Sequence, residues 1–300
     1  MNLVNWLIFY FFLIGMSVTS NNWLSMWTIL ELSTWTMLII MFFNYDNSDM
    51  IFKMYIMMSI ISMWLFMLWL NMWFKQEWIL FIFAIKMAIP PCHWWLGWIL
   101  KSLSWKMFWW ITTIHKFIPM IFSLLLINTF LVFFWALFST LWSAISIWNV
   151  NSLFLLLFYS SCMHSSWLWM SVNDLQTFCF YFISYTTLMY SVFYYMEKWE
   201  FFYSSNLILM FVFILMGLPT SLIFFIKMMI SGLFMSYNLI FIWLLLFTNI
   251  FMIYPYSQMM WLSLNKNFNF NKYFSNGLKY DSLKHYINLS AQLMVWFLLL

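Results

Sequence analysis

The sequence contains no arginine and very few charged residues of any kind. Only 7% of its 300 residues are charged, whereas soluble domains carry roughly 25%. With 66% of the residues hydrophobic, the chain cannot build a water-soluble surface. We therefore predict an all-α polytopic membrane protein, with room for about eleven spans of roughly 20 residues each.

Cysteine and glycine are also scarce, which narrows the kinds of site to expect. Cys92, Cys162 and Cys179 lack the spacing of metal ligands and lie in apolar segments, so we expect free thiols. There is no glycine-rich phosphate loop and no His/Cys pattern, so we predict no nucleotide, haem or metal site. The net charge of +4 is small and scattered, and it does not indicate a nucleic-acid partner.

Methionine and tryptophan are abundant, with 28 and 23 residues. This composition is typical of an A+T-rich gene read with extra Met and Trp codons, as in invertebrate mitochondrial genomes. The first residues, MNLVNWLIFY, lack the basic residues of a signal peptide or a transit peptide. We therefore predict that the first span is retained, which fits synthesis inside the organelle.

Apolar runs of spanning length follow one another along the whole chain, so we predict one transmembrane domain over residues 1–300. The predicted spans are 3–19, 23–43, 51–73, 78–98, 104–126, 129–148, 151–170, 175–195, 206–229, 233–254 and 287–300. A polar loop over 258–286 is expected before the last helix. Aromatic residues near the span ends fit an interfacial belt.

The placement of lysine predicts the orientation of these spans. Loops after even-numbered spans hold most of the loop lysines, whereas those after odd-numbered spans hold only Lys75. The lysines on the even side are Lys101, Lys198, Lys266, Lys272, Lys279 and Lys284. By the positive-inside rule the even side, together with the N-terminus, faces the inside compartment.

Four ionisable residues stand alone inside long apolar runs: Glu31, Lys86, Lys116 and Lys227. A charge at the centre of a bilayer costs at least roughly 2.5–3.5 kcal/mol on insertion scales. Glu31 lies about eight residues into its run, or roughly 12 Å at 1.5 Å per residue. Isolated charges at this depth indicate a path for ions or protons.

Two of the apolar runs are interrupted close to a buried lysine. Pro90-Pro91 follow Lys86, and Gly217-Leu218-Pro219 precede Lys227. Proline removes a backbone donor and clashes with the preceding turn. Because broken helices in membranes line cavities or pack within protein, we predict two discontinuous helices near these residues.

A glutamate and a lysine buried together can act as a switch. Burial favours the neutral form of each residue, whereas a nearby opposite charge favours the charged form. We predict that Glu31 and Lys86 form this pair; the alternative is a static ion pair that fixes helix packing. Lys116 and Lys227 would be proton-relay residues, and snorkelling to an interface is the alternative for both.

Three histidines also lie inside predicted spans: His93, His115 and His164. Histidine titrates near neutral pH and suits a proton shuttle. The alternative is a buried histidine that donates to a backbone carbonyl. His164 has Tyr159, Ser160 and Ser161 on the preceding turns as polar neighbours.

With these elements the chain resembles the chain 2 family of NADH–ubiquinone oxidoreductase, a membrane subunit of mitochondrial complex I, from about residue 1 to 255. The matching elements are WTILELSTW with Trp27 and Glu31, IKMAIPPCHWW with Lys86, Pro91, His93 and Trp95, HKFIP with Lys116 and Pro119, YSSCMH from Tyr159 to His164, GLPTSLIFFIK from Gly217 to Lys227, and IFKMY with Lys53. The family pattern has glycine two residues after the first lysine, where this chain has Ala88.

The resemblance implies an antiporter-like helix bundle in the mitochondrial inner membrane, with the N-terminus on the matrix side. It implies proton translocation along a charge relay of Glu31, Lys86, Lys116 and Lys227. It also implies that flavin, iron–sulfur clusters and quinone belong to other subunits, so this chain would hold no cofactor. The implied partners are membrane-arm and accessory subunits and membrane lipids such as cardiolipin, with no nucleic acid. A stand-alone cation/proton antiporter and a non-pumping structural spacer are the alternatives.

Overall fold

The structure is a computed structural model of the chain. It describes residues 3–20, 22–44, 53, 56–64, 67, 76–90, 92–93, 95–96, 104–124, 129–148, 153–172, 174–198, 214–215, 217, 221–234 and 239–268. In these ranges the regular elements are all helical, which confirms the all-α prediction. The predicted last span, 287–300, lies outside the described residues.

Ten α-helices with defined bounds lie within the described residues. They are α1 Leu3–Thr19, α2 Trp23–Asn44, α3 Gln76–Lys86, α4 Trp105–Thr112, α5 Phe117–Leu124, α6 Thr129–Trp148, α7 Leu153–Ser171, α8 Leu175–Lys198, α9 Leu222–Phe234 and α10 Leu239–Phe268. A short 3₁₀-helix, Ile114–Lys116, joins α4 to α5. Within the described ranges, Trp23–Phe43 is the one segment long and apolar enough to cross a bilayer by length and composition.

Helix α7 is surrounded by four other helices. It packs against α6, α8, α9 and α10, and nearly all of its described side chains are buried. Its buried serine hydroxyls donate to carbonyls one turn earlier in the same helix, at 2.7–2.8 Å. These bonds satisfy the hydroxyls without another helix, so α7 can be surrounded on all sides.

Helix α5 packs against a different set of helices. It contacts α1, α2 and α3, and the 3₁₀ turn that precedes it joins it to α4. The side chains of Ile118, Met120 and Phe122 are fully buried in these contacts. The helices that carry Glu31 and Lys86 therefore meet beside the turn that carries Lys116.

The predicted interruption after Lys86 has a well-defined geometry. Helix α3 ends at Lys86, and Ala88 adopts a left-handed conformation with φ 53°. The N–H of Ile89 donates to the carbonyl of Ala84, and the N–H of Ala88 to that of Ile85. This is a Schellman ending, in which glycine usually takes the left-handed position. Pro90 then prevents the helix from continuing.

The predicted interruption near Gly217 is also present in the described residues. Residues 214–215 are helical, Gly217 has φ 73°, and α9 begins at Leu222. Leu218, Pro219 and Thr220 lie outside the described residues. Both predicted breaks therefore place a left-handed residue near a buried lysine.

A third irregularity at Lys116 was not predicted, because residues 104–126 read as one span. Helix α4 ends at Thr112, and the 3₁₀ turn occupies Ile114–Lys116. Pro119 has no N–H to offer the carbonyl four residues earlier. The hydroxyl of Thr113 donates to the Trp109 carbonyl at 2.6 Å, beside the backbone N–H of Thr113 at 3.0 Å, and such bonds often bend helices.

Two predicted boundaries also need correction. Helix α9 continues to Phe234, beyond the predicted end at 229, because Ile230 and Ser231 are buried. Helix α10 continues to Phe268, through the first part of the polar loop predicted for 258–286. Residues 258–268 contain neither proline nor glycine, so nothing in the sequence ends the helix there.

Candidate functional site

Glu31 and Lys86 lie close enough for their charges to interact. Glu31 lies mid-way along α2 and is half-buried, while Lys86 is the last residue of α3 and only 3% exposed. Their charges act on each other, yet Lys86 Nζ and Glu31 Oε1 have no hydrogen-bond partner among the described residues. The carbonyls at the C-terminal end of α3 also favour a cation at this position. The arrangement is that of a separated charge pair.

His115 lies next to this pair. It sits in the 3₁₀ turn, is 5% exposed, and its Nδ1 is 3.1 Å from the hydroxyl of Tyr10 on α1. The charge of Lys86 acts on the His115 ring. Tyr10 is fully buried and packs edge-on against Trp110 with ring centroids 5.2 Å apart. Tyr10 was missed from the sequence, where it is one aromatic residue among many.

Lys116 is the next residue along and faces α7. Its Nζ is buried and donates to the backbone carbonyl of Ser161 at 3.3 Å. A helical carbonyl has a second lone pair, so Ser161 can accept this bond within α7. The charge of Lys116 acts on the Cys162 thiol and on His164. Cys162 itself donates to the Ala88 carbonyl at 3.6 Å, which connects α7 to the ending of α3.

His164 is held at both ring nitrogens. Nε2 is 3.1 Å from the Leu215 carbonyl, and Nδ1 is 2.9 Å from the hydroxyl of Tyr181 on α8. In a regular helix the Leu215 carbonyl would accept from the N–H four residues on, but residue 219 is proline. The histidine therefore takes the place of a backbone donor that the Gly-Leu-Pro element lacks.

Lys227 on α9 also lies near His164. Lys227 is only 2% exposed. Its Nζ donates to Asn249 Oδ1 at 2.8 Å and lies 5.5 Å from the centre of the Trp167 ring. A Cβ added at Gly217 would lie 3.5 Å from this Nζ, so the broken segment passes close to the ammonium. The charge of Lys227 acts on His164.

Asn249 on α10 was missed by the sequence analysis. It is 8% exposed and supplies the hydrogen-bond acceptor of Lys227. A signal was present, because an asparagine inside the long apolar run LLLFTNIFMI is expensive in a bilayer unless another helix provides its partner.

His93 has a different environment from the other two histidines. It is half-buried, and its ring packs against Phe158 and Tyr159 of α7, edge-on to the second at a centroid distance of 5.6 Å. His93 therefore lies beside the first residue of the YSSCMH element, in contact with aromatic rings.

Six of the seven predicted site residues thus fall into two groups linked by electrostatic interactions. Glu31, Lys86 and His115 form the first group, and Lys116, His164 and Lys227 form the second. His115 and Lys116 are neighbours in sequence, so the two groups meet at the 3₁₀ turn. No cluster of three metal-ligating side chains occurs in the described part of the chain, where all three cysteines are free thiols.

Comparison with known proteins places this arrangement in context. No protein-family model matches the chain. A curated relative, NADH-ubiquinone oxidoreductase chain 2 from Artemia franciscana, is 27% identical over 190 residues, which are 63% of this chain and 62% of the relative.

Among solved structures, a chain of respiratory complex I from Thermus thermophilus with bound Aureothin matches with a TM-score of 0.71. The match has 14% identity and covers 81% of this chain and 66% of that chain, and at this identity it shows the shared fold. The chain spans less than two thirds of the length of either protein. The resemblance to NADH–ubiquinone oxidoreductase chain 2 that the motifs predict is confirmed by the curated relative, with the shared fold in agreement.

Proposed function

We propose that this chain is a membrane-arm subunit of mitochondrial complex I and translocates protons through its buried ionisable residues. It contributes to an NADH:ubiquinone reductase without carrying out redox chemistry itself. The similarity to a chain 2 subunit supports the assignment to the complex. The two linked groups of buried charges support the assignment to proton transfer.

The first group would respond to events elsewhere in the complex. The interaction of Glu31 with Lys86 depends on their separation, and α2 and α3 both pack on α5. When the residues approach, both charged forms are favoured; when they separate, the lysine can release its proton. His115 and Lys116 on the adjoining turn would pass this change to the second group.

The single observation that carries the proposal is that His164 interacts with both Lys116 and Lys227 inside the bundle. His164 is 3% exposed and interacts electrostatically with both lysines. Each lysine is held by a neutral oxygen, from the Ser161 carbonyl or the Asn249 amide. A neutral acceptor does not fix the charged form as a carboxylate would, so each lysine can exchange its proton.

The membrane context completes the proposal. We infer about eleven spans in the mitochondrial inner membrane, with the N-terminus on the matrix side. Other membrane-arm and accessory subunits and lipids such as cardiolipin would cover the exposed apolar residues, and the redox cofactors would belong to other subunits. Co-migration with NADH dehydrogenase activity in a very large assembly on a native gel is expected. Migration alone or as a small oligomer would instead indicate a stand-alone antiporter.

The decisive experiment replaces Lys116 in the assembled complex. Lys116→Ala should lower the rate of proton pumping at least about tenfold, because it removes the central proton carrier. Lys106→Ala is the matched control, since Lys106 is exposed on the preceding helix. Unchanged pumping in an assembled Lys116→Ala complex would favour the structural-spacer alternative and reject the proposal.

A further inference from the structure

The hydrogen bonds of His164 fix which ring nitrogen carries its proton. The Leu215 carbonyl can only accept, so Nε2, at 3.1 Å, must be protonated and donate. In the neutral imidazole the other nitrogen, Nδ1, is then an acceptor. The hydroxyl of Tyr181, at 2.9 Å, donates to it.

The two nitrogens of His164 therefore differ in what they can do. A backbone carbonyl does not take up a proton, and Pro219 leaves the Leu215 carbonyl without its regular helical donor. Loss of the Nε2 proton would remove this hydrogen bond to the Leu215 carbonyl, at a cost of about 0.5–1.5 kcal/mol. Proton exchange is consequently directed to Nδ1, the side that faces Tyr181.

Tyr181 is suited to both charge states of the ring. It is fully buried on α8, and a phenol hydroxyl can donate as well as accept. It donates to Nδ1 when the imidazole is neutral. When Nδ1 is protonated, the same oxygen can accept from it after rotation of the hydroxyl hydrogen.

We propose that Tyr181 is a positioning residue that holds His164 as the Nε2-protonated imidazole with Nδ1 as its proton-accepting atom. The proposal rests on the proposed function, because it assigns a role within the path from Lys116 to Lys227. It names a residue outside all the sequence motifs that singled out the other site residues.

The test is Tyr181→Phe in the assembled complex, with Tyr185→Phe as the matched control. Tyr185 lies one turn further along α8, its ring centroid is 4.8 Å from that of His164, and its hydroxyl forms no hydrogen bond with the histidine. Both variants keep the aromatic ring and lose one buried hydroxyl. Protons pumped per NADH, the kcat of ubiquinone reduction and the KM for ubiquinone are measured after assembly is verified on a native gel.

Tyr181→Phe should lower pumping about three- to tenfold, as expected for one lost hydrogen bond, and leave the KM for ubiquinone unchanged. Tyr185→Phe should pump like the unmodified complex. In a His164→Gln background, adding Tyr181→Phe should cause no further loss, because the tyrosine acts through the histidine.

Equal pumping in the two tyrosine variants would overturn the inference, and so would an undiminished effect of Tyr181→Phe in the His164→Gln background. Its failure is distinguishable from that of the proposed function. If Lys116→Ala loses pumping while Tyr181→Phe does not, only the role of Tyr181 is rejected. If Lys116→Ala pumps normally, the proton path itself is rejected.

Discussion

Lys86 and Lys116 are buried to the same extent, 3% exposed each, but their surroundings differ in kind. Lys86 interacts with a carboxylate, Glu31, and its Nζ has no hydrogen-bond partner among the described residues. Lys116 donates to a backbone carbonyl, and Lys227 to a side-chain amide. The first region thus pairs a lysine with a charge, and the second pairs lysines with neutral oxygens.

Under the proposed function, this difference predicts separate roles for the two regions. The attraction between two charges depends steeply on their separation in a medium of low dielectric constant, so helix movements can change it. A neutral acceptor interacts with either protonation state of a lysine, and it is held in place by the helix that carries it. We therefore expect the first region to sense a conformational change and the second to conduct protons.

The largest effect should come from removing the charge that distinguishes the first region. Glu31→Gln keeps the shape of the side chain but deprives Lys86 of its opposite charge. Proton pumping per NADH should fall roughly tenfold or more, because the lysine no longer has a partner whose distance controls its proton.

The double variant Glu31→Gln with Lys86→Gln separates the roles of charge and packing. It has no buried charge left at this position, so the amount of assembled complex on a native gel should recover relative to the single variant while pumping stays low. Normal pumping by Glu31→Gln alone would show that the pair is a static packing element.

A smaller effect is expected from making the second region resemble the first. Asn249→Asp replaces the neutral oxygen 2.8 Å from Lys227 Nζ with a carboxylate. The resulting ion pair should favour the charged lysine and slow its proton exchange, so that pumping falls about three- to tenfold while the complex still assembles.

Asn249→Leu is the comparison for this variant. It leaves the Lys227 ammonium without that acceptor, which costs about 1–3 kcal/mol, and should lower the amount of assembled complex instead. If Asn249→Asp pumped at the normal rate, a neutral partner would not be required and the division between the two regions would fail.

The sequence predicted the buried charges and the two breaks near them, since isolated charges, Pro90 and Gly217 are visible in a single chain. It paired Glu31 with Lys86, but it did not predict the hydrogen-bond partners of Lys116, Lys227 or the histidines. Tyr10 and His115 are 105 residues apart, and no periodic pattern relates positions on helices that meet only in the folded bundle. The 3₁₀ turn at Lys116 was missed for another reason. Residues 104–126 read as one continuous span. The missing N–H of Pro119 affects the carbonyl four residues earlier, at His115, and not the position of the proline itself.

The smallest effect should appear at the two left-handed residues that end the helical segments beside Lys86 and Lys227. A residue with a Cβ is disfavoured in this conformation by about 1–2 kcal/mol, and glycine is not. Ala88→Gly should therefore stabilise the complex by about 0.5–1 kcal/mol after the greater freedom of glycine in the unfolded chain is taken into account. Gly217→Ala should destabilise it by about 1–2 kcal/mol.

The measurement is the temperature at which the isolated complex loses half of its NADH–ubiquinone activity. Gly232→Ala serves as the control, because Gly232 is exposed within α9 and an added Cβ would meet nothing within 4 Å. That change should stabilise by up to about 1 kcal/mol through helix propensity alone. A lower half-inactivation temperature for Gly217→Ala and a higher one for Gly232→Ala would show that backbone conformation decides whether the change destabilises or stabilises. A stabilising Gly217→Ala would contradict the left-handed geometry beside Lys227.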